Sequence, residues 1–442
     1  MKRMICALLV LIVVCVTCVS ASAIDYGCDV STVSKAVYLE NLDTGAVVFE
    51  KNAEEKMYPA STTKIMTYVV VADNVSDLDG TMVTIKEEVF ADIDPESTVM
   101  GLKDHIGEQY SVRELLYGMM LPSGNDAALV LADYVGEGSI PAFVDKMNAK
   151  AAELKCSDTH FVNPHGLFDA AHYTTAKDMA AITKYAATTQ SFMEIANTVS
   201  YTPTRFTEPI TNTNYMLSKT EHGGQYYDPC VRGVKTGYLD EAGKCLVTTG
   251  EQDGFHYLCV ALGADYSYED DINYAMIDTS SLYDWAFTNI AFQTVYSSSE
   301  VVKTIDVNFG KDEDKLNLVP DGELTALLPN NYDQSKIRVD MECPDEIDAP
   351  VSQDQVIGKA TVYYDDMLVG STDIVANKAI ELDEVQYRLE QVKIWFKNHL
   401  VLIIVIAVVI ILLIILLVAV SKAQKRKRAR ERAQRARRRY RD

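Results

Sequence analysis

Pro59-Ala60-Ser61-Thr62-Thr63-Lys64-Ile65-Met66-Thr67 is the stretch from which the rest of the chain can be read. Proline is tolerated in a helix's first turn, so Pro59-Ala60 predicts a helix running through about Ala72. A spacing of three puts Ser61 and Lys64 on one face, a turn apart. A serine hydroxyl is a poor nucleophile until a base takes its proton. A lysine serves as that base only when neutral, so its pKa of ~10.4 must fall through burial or a second nearby cation. A helix that starts at Ser61 also brings a positive dipole end and free N–H groups to a developing oxyanion. Taken alone the motif is weak, because a chain of 442 residues should contain one or two S-x-x-K runs by chance.

Moving outward, Leu121-Pro122-Ser123-Gly124-Asn125-Asp126 reads as a turn between two helices. Ser123 can relay a proton there, and Asn125 offers a substrate amide both a donor and an acceptor. Further on, Lys235-Thr236-Gly237 closes an expected strand, Val231–Lys235. Lys235 is a cation for a substrate carboxylate and a means of lowering the pKa of Lys64. Thr236 adds a hydroxyl, and Gly237 lets a substrate backbone lie against the strand edge, where a Cβ would clash. Each run alone is an ordinary helix start, loop or strand end. The chain holds only one S-x-x-K, one S-x-N and one K-T-G, in that order.

That trio is shared by class A β-lactamases and penicillin-binding proteins. The sequence resembles the low-molecular-mass penicillin-binding proteins that are serine-type D-alanyl-D-alanine carboxypeptidases. The likeness extends to Leu115–Val135, Phe143–Leu154, Phe161–Leu167 (Phe-Val-Asn-Pro-His-Gly-Leu) and His172–Ala180. It implies Ser61 as acyl nucleophile, Lys64 as its base and Ser123 as relay. It implies Asn125 as a substrate-amide contact, Lys235 and Thr236 as ligands of the terminal carboxylate, and the N–H groups of Ser61 and Tyr238 as the oxyanion hole. The implied substrate is a peptidoglycan stem pentapeptide, with β-lactams as covalent inhibitors and neither cofactor nor metal. One departure is Lys56, where such proteins often carry Arg three residues before the Pro-Ala-Ser run. The competing readings are a D,D-endopeptidase of the same family, a class A β-lactamase and a non-catalytic cell-wall-binding scaffold.

The expected fold is α+β: a transpeptidase-like domain over 24–298, with helices packed on an antiparallel sheet. Val37–Leu39 and Val47–Phe49 flank a hairpin turn, residues 112–190 carry helical patterns, and Lys244–Thr248 and His256–Leu262 follow Val231–Lys235 as strands. Short alternating runs separated by Pro, Asp, Asn and Gly predict a small all-β domain over 299–382. A helical stalk over 383–399 then leads into Leu400–Val420, 21 residues without a charge or a proline, long enough at 1.5 Å per residue to cross a ~30 Å hydrocarbon core. The tail 421–442 carries 12 Lys/Arg against two acidic residues, which predicts a cytoplasmic tail and an outside body. At the other end Lys2 and Arg3, the apolar Met4–Val19 and Ala21-Ser22-Ala23 read as a signal peptide, with the mature chain starting at Ile24.

The net charge of −22 conceals this asymmetry, since residues 24–399 hold 27 basic against 61 acidic residues, a charge of −34. So acidic a body argues against nucleic-acid binding. Six cysteines remain after the leader, without a C-x-x-C; Cys245 and Cys259 on neighbouring strands could pair or stay as buried thiols. His160, His165 and His172 offer a rival zinc site, but no H-E-x-x-H accompanies them and loop packing explains them better. Asp178 reads as structural, a helix cap rather than a catalytic group.

Overall fold

A computed structural model of the chain describes residues 26–91, 93, 97–267 and 272–439, so the expected leader, 1–23, lies outside the described residues. The chain divides into two compact units. One takes in the residues up to Val295 with Thr325–Asp340 and Thr361–Ser371; the other takes in Tyr296–Leu324, Met341–Ala360 and Thr372 onward.

The first unit is built on a five-stranded sheet: β1 (Ala36–Asn41), β2 (Val47–Lys51), β3 (Val231–Leu239), β4 (Gly243–Gln252) and β5 (Phe255–Ala264). Its order is β2-β1-β5-β4-β3, antiparallel throughout. Strand side chains alternate between faces, and β5 uses both. Leu258, Val260 and Leu262 join the helical core. Tyr257 and Cys259 meet the helix on the other face, α7 below, through Phe287 (ring centroids 5.2 Å apart) and Thr279 (3.8 Å). A strand covered on both faces has no solvent side, which is why β5 reads as a continuous apolar run rather than an alternating one.

The helices are α1 (Lys64–Asn74), α2 (Val112–Met120), α3 (Asn125–Val135), α4 (Ile140–Glu153), α5 (Ala176–Ala187), α6 (Phe192–Ala196) and α7 (Tyr274–Asn289). In α1 every residue from Lys64 to Val71 is buried, as in a helix enclosed by its neighbours, here α3, α4 and α5. Ser111 and Glu114 cap α2 reciprocally. The helix expected from Pro59-Ala60 onward is divided: Ala60–Thr63 form a 3₁₀ turn and α1 begins at Lys64. With three residues per turn, a 3₁₀ segment aligns residues i and i+3 directly. The strand expected to stop at Lys235 instead continues to Leu239, because residues 235–239 pair in register with 247–243 of β4. Lys235-Thr236-Gly237 therefore lies within the edge strand.

Cys245 and Cys259 do sit on adjacent strands, yet Cys245 stands opposite Gly237 and Cys259 opposite Thr248 and Leu39; both remain free, buried thiols. Thr175, not Asp178, caps α5. Asp178 instead accepts from Asp158 N (3.1 Å) and Thr159 Oγ1 (2.8 Å), fixing the turn before the loop at 160–167.

In the second unit Lys303–Asn308 pairs antiparallel with Lys315–Pro320 and parallel with Glu346–Asp348. Alternate residues Ile305, Val307, Leu316 and Leu318 are buried. The chain then runs into one uninterrupted helix, α8 (Glu384–Arg439), of 56 residues, about 84 Å at 1.5 Å per residue. Residues 384–399, 400–420 and 421–439 of the expected stalk, span and tail are continuous within it, and it is long and apolar enough to cross a membrane.

Candidate active site

The serine turn is held in an unusual backbone conformation. Ala60 has φ +47°, in the left-handed region that non-glycine residues seldom adopt. Strain of this kind persists only where the surroundings over-determine it. Thr62 Oγ1 donates to Pro59 O (2.6 Å) across the turn. On one side, a Cβ on Gly237 would come within 3.0 Å of Ser61 N and Ala60 Cβ and 3.1 Å of Pro59 O. On the other, Gly166 (φ +90°) leaves no room for a Cβ against the Ala60 carbonyl. Ser61 thus projects from a turn clamped between β3 and the 160–167 loop.

Lys64 is fully buried one 3₁₀ turn later. Its Nζ donates to Asn125 Oδ1 (2.7 Å) and His165 O (2.8 Å) and lies 2.9 Å from Ser61 Oγ. Burial, and secondarily the positive charge of Lys235, hold its pKa well below the ordinary lysine value, while Asp126 pulls it the other way. Desolvation penalises the charged amine directly, and a like charge adds to the penalty. Lys235 is also fully buried, and burial alone brings it down to about 7; its Nζ donates to Thr236 O (3.2 Å). A neutral amine touching a serine hydroxyl, with a second titratable amine nearby, is what a lysine-activated nucleophile requires.

The Ser-x-Asn run reaches the site through α3. Asn125 is its first residue, so the side chain projects from the helix start toward Lys64. With Oδ1 taken by Lys64, its NH2 group is the part left to meet a substrate carbonyl. Ser123, two residues earlier, is another left-handed residue (φ +64°). Its Oγ is buried with no hydrogen-bond partner among the described residues, so it is not bonded to Ser61 or Lys64. Tyr238 follows Gly237, its hydroxyl donating to Asp240 (2.6 Å). The structure thus brings Ser61, Lys64 and Asn125 into one hydrogen-bonded network. Gly237 lies against it, Lys235 acts on it through charge, and Ser123 is unattached.

Three further groups escaped the sequence reading. The His165 carbonyl is a backbone acceptor, which no residue pattern advertises. Asp126 directly follows the Ser-Gly-Asn run; it is buried and accepts from the N–H groups of Met100, Gly101 and Leu102 (2.7–2.9 Å), which packs that loop on α3. An acidic residue in a helix's first turn was the available signal. Thr213 Oγ1 lies 2.5 Å from Thr236 Oγ1, from a segment with no motif of its own. The histidines are otherwise engaged: His160 with the Ala171 carbonyl, His165 with Leu167 N, and His172 with Thr63 and Val162 N. Among the described residues no group of His, Cys, Asp and Glu could hold a metal ion.

Residues 25–266 match the family described as D-alanyl-D-alanine carboxypeptidase, and 292–382 match the penicillin-binding protein 5 C-terminal domain. D-alanyl-D-alanine carboxypeptidase DacF of Bacillus subtilis is 28% identical over 383 residues, covering 86% of this chain and 94% of the relative. DacC of Escherichia coli is 32% identical over 337 residues, covering 74% and 78%. Among solved structures, penicillin-binding protein 5 of Haemophilus influenzae superposes with a TM-score of 0.59 at 26% identity, over 79% of this chain and 98% of its own. Together with a matched segment spanning more than half of the sequence and containing all three motifs, these likenesses place the chain in the D-alanyl-D-alanine carboxypeptidase family of penicillin-binding proteins.

Proposed function

We propose that Ser61 is the nucleophile with which this serine-type D-Ala-D-Ala carboxypeptidase removes the terminal D-alanine of a peptidoglycan stem pentapeptide. The observation that carries the assignment is the 2.9 Å contact between Ser61 Oγ and a buried Lys64 whose pKa is depressed. Ser61 Oγ attacks the carbonyl carbon of the penultimate D-Ala as its proton passes to Lys64 Nζ. The N–H groups of Ser61 and Tyr238 take the oxyanion, and the close seat of Gly237 on Ser61 N keeps these two donors near each other. Asn125 holds the substrate amide, while Lys235 and Thr236, with Thr213 at the side of Thr236, bind the terminal carboxylate. The peptide C–N bond then breaks. Ser123 relays the proton from Lys64 to the leaving nitrogen, D-alanine departs, and water cleaves the Ser61 ester. A β-lactam acylates the same oxygen but keeps its leaving group tethered.

We further divide the chain into a signal peptide (1–23), a catalytic domain (24–298), an all-β domain (299–382), a stalk (383–399), a transmembrane helix (400–420) and a tail (421–442). The catalytic domain faces outward and the basic tail the cytoplasm. Support comes from the uninterrupted apolar helix and the Lys/Arg density that follows it. The test is D-alanine release from a peptide ending in L-Lys-D-Ala-D-Ala. The detergent-solubilised chain should release D-alanine and form a penicillin adduct, and Ser61→Ala should do neither while melting normally. An intact adduct on Ser61→Ala would sink the assignment. Cleavage of cross-linked muropeptides alone would make the protein an endopeptidase.

A further inference from the structure

The loop at 160–167 contains no residue assigned a chemical step, yet it is bonded to the serine turn and α1 at several points. Lys64 Nζ donates to His165 O (2.8 Å), and Thr67 Oγ1 donates to Pro164 O (2.5 Å). One ring spans the two elements. His172 Nδ1 accepts from Val162 N (3.1 Å), while Nε2 lies 2.8 Å from Thr63 Oγ1. With Nδ1 accepting, the neutral imidazole carries its proton on Nε2 and donates it to Thr63. The ring is only 2% exposed and packs edge-on against Phe161. Burial keeps it uncharged, at about 4.

The consequence lies at Lys64. A neutral amine has two N–H bonds and one lone pair. Three oxygens surround Nζ: Asn125 Oδ1, His165 O and Ser61 Oγ. The first two can only accept, so they take the two N–H bonds and the lone pair is left facing the Ser61 hydroxyl. The His165 carbonyl therefore aims the base, and the ring at 172 fixes the loop that carries this carbonyl. We propose that His172 is a positioning residue for the general base. It ties the loop backbone at Val162 to the serine turn at Thr63, so that the His165 carbonyl orients the Lys64 lone pair onto Ser61. This rests on the reading of Lys64 as base.

The experiment measures benzylpenicillin acylation of the full chain in detergent, separating the dissociation constant of the initial complex from the acylation rate constant. His172→Phe keeps a buried ring and removes both nitrogens. It should slow acylation by about 10- to 100-fold, the scale expected for sub-ångström to ångström misplacement of a reacting group, with the dissociation constant unchanged within about twofold. His172→Gln presents an amide donor and acceptor in place of the two ring nitrogens and should restore the rate to within a few-fold. A folded His172→Phe that acylates at the wild-type rate overturns the proposal, as does a loss that His172→Gln fails to recover or that falls on the dissociation constant. Should His172→Phe not fold, Thr63→Val removes the other end of the tie: slowed acylation supports the proposal and wild-type acylation overturns it. A wild-type chain that penicillin does not acylate would overturn the reading of Ser61 and Lys64 itself.

Discussion

The lysines of the two units show what surroundings do to one side chain. In the catalytic unit Lys64 and Lys235 are fully buried and, among the described residues, have no carboxylate hydrogen-bonded to them, so burial drives both down, Lys235 to about 7. In the C-terminal unit Lys311 and Lys315 stand in solvent and Lys303 is partly exposed, each bonded to an acid: Glu381, Asp306 and Asp345. Those carboxylates raise their pKa values. The difference separates reactivity from decoration. A cation kept from both water and a counter-ion is available as a base or a substrate ligand, at a cost to the fold; a paired surface cation is neither.

The sharpest way to break this comparison is Lys64→Met, which removes the proposed base and leaves an apolar chain of similar length. We expect kcat/KM for D-alanine release to fall by about 10²- to 10⁴-fold, the usual worth of a general base. A rate near wild type would make the burial of Lys64 chemically idle. Lys235→Met comes next. Losing a charged hydrogen-bond partner should cost about 10- to 100-fold in kcat/KM, mainly through KM. Its stability sharpens the point further. The folded lysine titrates near 7 and the unfolded one near 10.5, so between those values the unfolded chain holds a proton that the folded chain lacks. Wild-type stability therefore rises with pH across that window. Lys235→Met lacks this penalty, so thermal melting should show it more stable than wild type near pH 7, with the gap closing toward pH 10.5. A gap that widens with pH would reverse the argument. Lys315→Ala is the control: removing an exposed pair partner should leave the melting temperature and kcat/KM within experimental error of wild type.

Much of this was legible in the sequence because chemistry concentrated in short runs. Ser61, Lys64, Asn125, Lys235 and Gly237 could be picked out by residue type and spacing, and the hairpin turn between β1 and β2 was plain. What escaped depends on contacts between distant segments. The 3₁₀ turn at 60–63 arises where Gly237 and Gly166 press on the serine turn from two sides, and no local propensity encodes that. Extension of β3 past Lys235 depends on pairing with β4, which carries the strand through Thr236 and Gly237 to Leu239. Asp178 looked like a cap because acids favour first turns, whereas the cap is Thr175 and the carboxylate serves a different loop. The His165 carbonyl has no side-chain identity at all.

The two glycines that clamp the serine turn also bear on how such an enzyme can evolve under antibiotic pressure. Every missense change of a glycine codon introduces a Cβ, and at Gly166 and Gly237 that atom meets the backbone of Ala60, or of Pro59 and Ser61. Any side chain at either position would press on the turn that carries Ser61. Variants that lose β-lactam acylation while keeping D-alanine release are therefore expected at positions other than these two, where side chains already stand.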